Sequence, residues 1–135
     1  MTSIYDNNGE ISSTSNRFNL DLQEQTIDGK QFIGKVSKIE GMDTIWTLDA
    51  DEDMEVDMTY LLNVTSGKLK LVLISPDNST TNLIESTDKS DLNSYAINTL
   101  QIKKGLNRIK MVAGANTCVE FDITISSGRF EELGM

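Results

Sequence analysis

The chain has 135 residues, 38% of them hydrophobic and 24% charged, with a formal net charge of −9. This composition predicts one folded domain rather than a disordered chain. The 12 basic residues form no cluster beyond Lys103-Lys104, so the sequence argues against binding to nucleic acid or to an anionic membrane surface, since both repel an acidic chain.

Residues 1–16 are rich in Ser, Thr and Asn and predict a flexible N-terminal arm, with Ile4 and Tyr5 as its points of attachment or as a short edge strand. The arm lacks the basic and apolar regions of a signal peptide. No apolar run reaches the roughly 18 residues of a membrane helix. We expect a cytoplasmic protein, or an exported one whose leader was removed, without membrane insertion. Residues 17–135 are expected to form a single β-sandwich domain.

Short stretches in which apolar and polar residues alternate follow along the chain. A period of two predicts strands, and it occurs over residues 18–22, 32–37, 44–48, 54–64, 68–74, 80–84, 95–102, 106–112 and 119–125. Turns rich in Gly, Pro, Asn and Asp are predicted between them at residues 28–29, 40–41, 76–79 and 113–116. A helical turn or a docked end is predicted for residues 129–133.

The longest alternating run, residues 54–64, is apolar at every second position and predicts a strand with one face in the core. Ser66-Gly67 follows it and leads directly into the strand at residues 68–74, which predicts a hairpin. Eight or nine such strands without a helical pattern predict an all-β fold. The expected architecture is an antiparallel β-sandwich of jelly-roll type.

Two segments carry a resemblance to known proteins. Residues 66–77 read Ser-Gly-Lys-Leu-Lys-Leu-Val-Leu-Ile-Ser-Pro-Asp, and residues 100–112 read Leu-Gln-Ile-Lys-Lys-Gly-Leu-Asn-Arg-Ile-Lys-Met-Val. This turn chemistry resembles that of small, poorly characterised β-sandwich proteins of Gram-positive bacteria and, more distantly, carbohydrate-binding and galactose-binding-like jelly rolls. The resemblance implies the sandwich fold and transfers no functional residue.

The residue types argue against an enzyme. The chain has no histidine, the commonest general base and transition-metal ligand. Its one cysteine, Cys118, has no histidine to activate it and precedes a core pattern. No Gly-rich phosphate loop or Gly-x-Ser-x-Gly turn occurs. A carboxylate pair acting on glycosides is the remaining catalytic alternative.

An acidic run before the long strand is the candidate cation site. Asp49, Asp51 and Asp53 alternate along it, and Ca²⁺ takes about six to eight hard oxygen ligands. The run is not an EF-hand, because Met54 stands where that loop needs glycine and Tyr60 where it needs glutamate. The sequence leaves two alternatives, a calcium site of the kind found in sandwich proteins and a solvated acidic loop.

Four acidic residues are expected on outward faces, Glu55 and Asp57 on the long strand and Glu120 and Asp122 on the last. If these strands are neighbours, like charges share one face and need counter-charges between them. The basic residues predicted for that role are Lys68, Lys70, Arg108 and Lys110.

Trp46 and Tyr95 are the candidate ligand-binding aromatics, since sugars stack on exposed rings, and a core position is the alternative for Trp46. The leading hypothesis is a non-catalytic binding module for carbohydrate, with calcium as a structural aid. The alternative is a structural protein that self-associates into a homo-oligomer, or docks a protein partner, through sheet edges or faces.

Overall fold

The computed structural model describes residues 17–19, 22–87 and 95–131. These ranges contain nine strands and no helix: β1 (Arg17–Asn19), β2 (Leu22–Asp28), β3 (Gln31–Ala50), β4 (Met54–Ser66), β5 (Lys68–Ile74), β6 (Thr80–Thr87), β7 (Ala96–Ile102), β8 (Gly105–Ile125) and β9 (Arg129–Phe130). All pairings are antiparallel, which confirms the predicted antiparallel β-sandwich. The arm predicted at residues 1–16 lies outside the described ranges.

Two long strands, β3 with 20 residues and β8 with 21, pass through both layers of the sandwich. The first half of β3 pairs with the second half of β8, and the second half of β3 with the first half of β8. Between the halves the register shifts at Val36, Ile39 and Gly41. Such bulges bend a strand without ending its pairing, so each long strand contributes to both sheets.

The front sheet has the order β7-β4-β8-β3-β2, built on the second half of β8 and the first half of β3. The back sheet has the order β6-β5-β8-β3, built on the other two halves. Strands β1 and β9 pair with β3 in this sheet, on the side away from β8. The front sheet therefore ends at β7 and β2.

The core fills the space between the two sheets. Of the alternating residues of β4 that were predicted to face inward, five are buried, at 0–8% exposure: Val56, Met58, Tyr60, Leu62 and Val64. The sixth, Met54 at the start of the strand, is 40% exposed. Each fully buried aliphatic side chain of this kind stabilises the fold by about 1.5–3 kcal/mol. The inward face of β4 is thereby confirmed.

The predicted hairpin of residues 54–64 and 68–74 is wrong, because β4 pairs with β7 and β8, whereas β5 pairs with β6 and β8. Ser66-Gly67 instead leads the chain from the front sheet to the back sheet. Residues 18–22 were predicted as one strand, but β2 begins at Leu22 and runs to Asp28.

Two predicted turns also differ from the observed structure. Residues 40–41 and 113–116 were predicted as turns, but β3 and β8 continue through them. Gly41 has φ 112° and Asn116 φ 57°, so residues that tolerate positive φ form strand bends here instead of ending the strands. Of the two alternatives for residues 129–133, the docked end is observed, because Arg129–Phe130 pairs with β3 as a short strand.

Candidate functional site

Trp46 lies in the core. Its side chain is 0% exposed, and its Nε1 donates a hydrogen bond to the backbone oxygen of Ser127 at 2.9 Å. Gly128 packs on the indole, where an added Cβ would lie 2.5 Å from the ring. The indole has no face open to a ligand, so the prediction of Trp46 as a ligand platform is corrected to a core residue.

Tyr95, the second predicted aromatic, is 59% exposed and stands directly before β7. Its hydroxyl donates a 2.5 Å hydrogen bond to Oδ2 of Asp122, and Oδ1 of the same carboxylate accepts a 2.9 Å bond from Nε2 of Gln31. The bond to Asp122 favours the neutral hydroxyl and raises the pKa of Tyr95 above its ordinary value. Asp122 thus holds an aromatic ring and an amide in fixed positions.

Tyr95 and Asp122 line a groove of about 450 Å³ on the outer face of the front sheet, a volume within the usual range for ligand sites. Strand register creates it, because Thr26, Ile33, Asp122 and Leu61 lie side by side on β2, β3, β8 and β4. Tyr95 follows next to Leu61 at the β7 edge. Five neighbouring strands at about 4.8 Å spacing make the groove roughly 19 Å long.

The groove combines apolar surface with charged margins. Ile33 is 45% exposed, and Leu61, on the other side of Asp122, is half-buried. Lys35 forms an ion pair with Glu120 at 3.3 Å. Three carboxylates and one ammonium group line the groove, for a formal charge of −2. This charge disfavours anionic ligands and leaves neutral polar ligands as the best match.

The acidic run is not gathered into a metal cage. Asp49, Asp51 and Asp53 are exposed, and Oδ1 of Asp53 accepts a 2.8 Å hydrogen bond from the backbone N–H of Lys104. Within the part of the chain that the structure describes, no three His, Cys, Asp or Glu side chains lie together in a way that could hold a metal ion. The calcium site therefore stays a prediction. The Asp53 carboxylate instead accepts the hydrogen bond that fixes the turn between β7 and β8.

Strands β4 and β8 are neighbours, as the acidic-face hypothesis required, but their acidic residues are offset. Glu120 lies opposite Asn63, and its counter-charge is Lys35. Glu55 and Asp57 accept hydrogen bonds from β7 side chains at 3.1 and 3.0 Å. The four basic residues predicted as counter-charges belong instead to strands of the back sheet: Lys68, Lys70, Arg108 and Lys110.

Sequence reasoning missed Ile33 and Leu61 as groove residues and Gln31 as the partner of Asp122. Their outward positions follow from alternation along each strand, but their proximity depends on which strands are neighbours and in what register. Asp122 was recognised as outward-facing, although its bond to Tyr95 was not.

No protein-family model and no curated protein matches this chain. Among solved structures, a mutant family 29 carbohydrate-binding module is similar over 84% of this chain and 83% of that one, with 10% identity and a TM-score of 0.47. A family 29 module complexed with mannohexaose is similar over the same shares, with 9% identity and a TM-score of 0.45. Similarity this low supports no conclusion about function.

Proposed function

We propose that this protein is a non-catalytic binding module that holds a neutral oligosaccharide in the front-sheet groove. The observation that carries the proposal is the exposed Tyr95 ring, fixed through Asp122 to Gln31, at a groove with apolar residues along its floor.

The lining matches the chemistry of a sugar ring. A pyranose has an apolar C–H face and a rim of hydroxyl groups that donate and accept hydrogen bonds. The ring of Tyr95 and the exposed side chain of Ile33 supply apolar contact. Asp122 supplies carboxylate oxygens, and bonds to a charged acceptor are stronger than bonds between neutral groups.

Preorganisation adds to this match. Because Gln31 and Tyr95 already hold Asp122, the carboxylate loses little rotamer freedom when a ligand arrives, and less of the binding free energy is spent on ordering it. The groove crosses strands for about 19 Å, which suits a chain of several sugar units better than a single one.

The test is affinity electrophoresis through gels that contain neutral soluble polysaccharides, a glucan, a mannan and a xylan, followed by calorimetry with oligosaccharides of the retarding polymer. Tyr95→Ala and Asp122→Asn are expected to weaken binding about tenfold or more, the equivalent of one or two lost contacts. Asp57→Asn is the matched control, because Asp57 lies on the same outer face and accepts a bond from Thr99 outside the groove.

Two results would overturn the proposal. One is wild-type protein that no neutral polysaccharide retards, and the other is a Tyr95→Ala variant that binds as the wild type does. Release of reducing ends from the polysaccharide would replace the binding module with a hydrolase that uses paired carboxylates.

A second candidate function, self-association, rests on strand β7. Among the described strands β7 pairs with β4 alone, it has no charged residue, and its Ile97 is 70% exposed. Edge strands of monomeric proteins usually carry charges or proline that block further pairing. Light scattering at rising concentration tests this candidate. It requires an oligomer that Ile97→Lys dissociates, and a wild-type monomer at every concentration rejects it.

A further inference from the structure

A second row of side chains lies beside the groove on the outer face of the front sheet. Strand register places four uncharged residues side by side across β3, β8, β4 and β7, in the order Gln31, Thr124, Thr59 and Ile97. We call these four residues the neutral row. The row runs beside Ile33, Asp122 and Leu61 of the groove, two positions away along each strand, which is a distance of about 7 Å.

Ile97 is the apolar member of the neutral row. It is 70% exposed, and it stands two residues after Tyr95, so both side chains point to the same side of the sheet. Thr59 lies directly beside Ile97 and is half-buried, and Thr124 beyond it is exposed. The neutral row therefore offers an apolar contact next to hydroxyl groups, which complements the apolar face and the hydroxyl rim of a sugar ring.

The opposite side of the groove is charged. Glu24, Lys35 and Glu120 are neighbours there across β2, β3 and β8, and the Lys35–Glu120 ion pair at 3.3 Å joins two of these strands. A neutral sugar unit that covers charged groups removes their water and provides no opposite charge, which costs free energy. The groove is therefore asymmetric, with an uncharged surface on one side and a charged surface on the other.

We propose that the neutral row holds the side branches of a neutral polysaccharide whose main chain lies in the groove. This assignment, which rests on the proposed function, narrows the ligand class from neutral oligosaccharides in general to branched ones. A branch of one sugar unit leaves the main chain sideways and covers the distance of about 7 Å between the two rows. Its desolvation cost is lowest on the neutral side, where its apolar face packs on Ile97 and its hydroxyl groups bond to Thr59.

Calorimetry with matched oligosaccharides tests this assignment. Each pair of ligands shares a main chain and differs by one branch: mannopentaose with and without a galactosyl unit, xylopentaose with and without an arabinosyl unit, and cellotetraose with and without a xylosyl unit. The wild type is expected to bind the branched member of at least one pair about three- to tenfold more tightly, which is the gain from one apolar contact and one hydrogen bond.

Two variants remove the contacts to the branch. Ile97→Ser should lower the affinity for that branched ligand about three- to tenfold, because the apolar contact is lost, and should leave the affinity for its linear partner unchanged. Thr59→Val keeps the shape of the side chain, removes the hydroxyl, and should lower the affinity for the branched ligand about threefold. Because both ligands are measured on the same variant, a change in oligomeric state would act on both affinities and not on their ratio.

Leu106→Ser is the matched control, since it removes a 50% exposed apolar side chain from the back sheet and should leave the ratio of the two affinities unchanged. A wild type that binds branched and linear ligands equally overturns the assignment, and so does a preference that survives Ile97→Ser in a folded protein. In either case, linear ligands that bind the wild type but not Tyr95→Ala still support the proposed function. A protein that binds no member of the three pairs contradicts both.

Discussion

Replacement of Gly34 by alanine tests the packing beneath the groove. Gly34 on β3 lies opposite Phe121 on β8, and an added Cβ would lie 2.3 Å from Cζ and 2.7 Å from Cε2 of that ring. Both distances are shorter than any normal carbon–carbon contact. The ring cannot retreat freely, because Phe121 is 2% exposed and packs edge-on against Phe32 at a centroid distance of 4.9 Å.

The expected loss follows from two opposing terms. Overpacking of this kind costs about 1–3 kcal/mol, while alanine in a strand regains roughly 0.5–1 kcal/mol because it restricts the unfolded chain more than glycine does. Because contacts of 2.3 and 2.7 Å place the overpacking cost in the upper half of its range, Gly34→Ala should lower the free energy of unfolding by about 1–2.5 kcal/mol. For a chain of this size the melting temperature falls by roughly 3–10 °C.

Urea unfolding followed through Trp46 fluorescence measures this change, with a thermal melt as a second readout. Gly114→Ala is the matched control, since the nearest atoms to its added Cβ belong to the flexible side chain of Lys68, at 3.0 and 3.1 Å. Its stability should stay within about 0.5 kcal/mol of the wild type. A Gly34→Ala protein as stable as the wild type would refute the packing argument.

Three further predictions concern the residues singled out by the sequence. Trp46→Phe should lower the free energy of unfolding by about 1–3 kcal/mol through lost volume and the lost bond to Ser127, while oligosaccharide affinity stays unchanged; a folded variant with normal stability but weakened binding would contradict this. The raised pKa of Tyr95 means that its bond to Asp122 is fully present below the ordinary tyrosine pKa of 10.0 and is lost as pH rises through the raised value. In a titration followed by absorbance, Asp122→Asn should therefore move one tyrosine to lower pH, and an unchanged curve would show that the bond does not hold in solution. Excess Ca²⁺ added to chelator-treated protein should leave the melting temperature unchanged, because the acidic run forms no donor cluster; a rise that disappears in Asp51→Asn would instead place a calcium site there.

Alternation in the sequence predicted most of the strands and the inward face of the longest run, although β2 was missed. In β4 every second residue from Val56 to Val64 is buried, as the period of two requires, because successive side chains on a strand point to opposite sides whatever the strand packs against. The predicted hairpin at Ser66-Gly67 is wrong, although Gly67 adopts the φ of 79° that favours glycine at a turn. Strands β4 and β5 lie in different sheets, and each pairs with a different half of β8. The local turn signal therefore did not decide which strands pair.

Local chemistry could not decide between a turn and a bend. Gly41 and Asn116 have the positive φ values that their residue types favour, but whether the chain reverses or continues there depends on pairing between β3 and β8, about 70–80 residues apart. For the same reason Trp46, on a strand predicted correctly, could not be assigned to the core or the surface from its sequence neighbours.

The groove depends on tertiary structure entirely. Each of Ile33, Leu61 and Asp122 is outward-facing by alternation, and the residues stand in one row only because β3, β4 and β8 pair in a particular register. A shift of one residue in either pairing would turn these side chains to the other face. The sequence by itself determined which residues leave the core, and long-range strand pairing decided which of them meet.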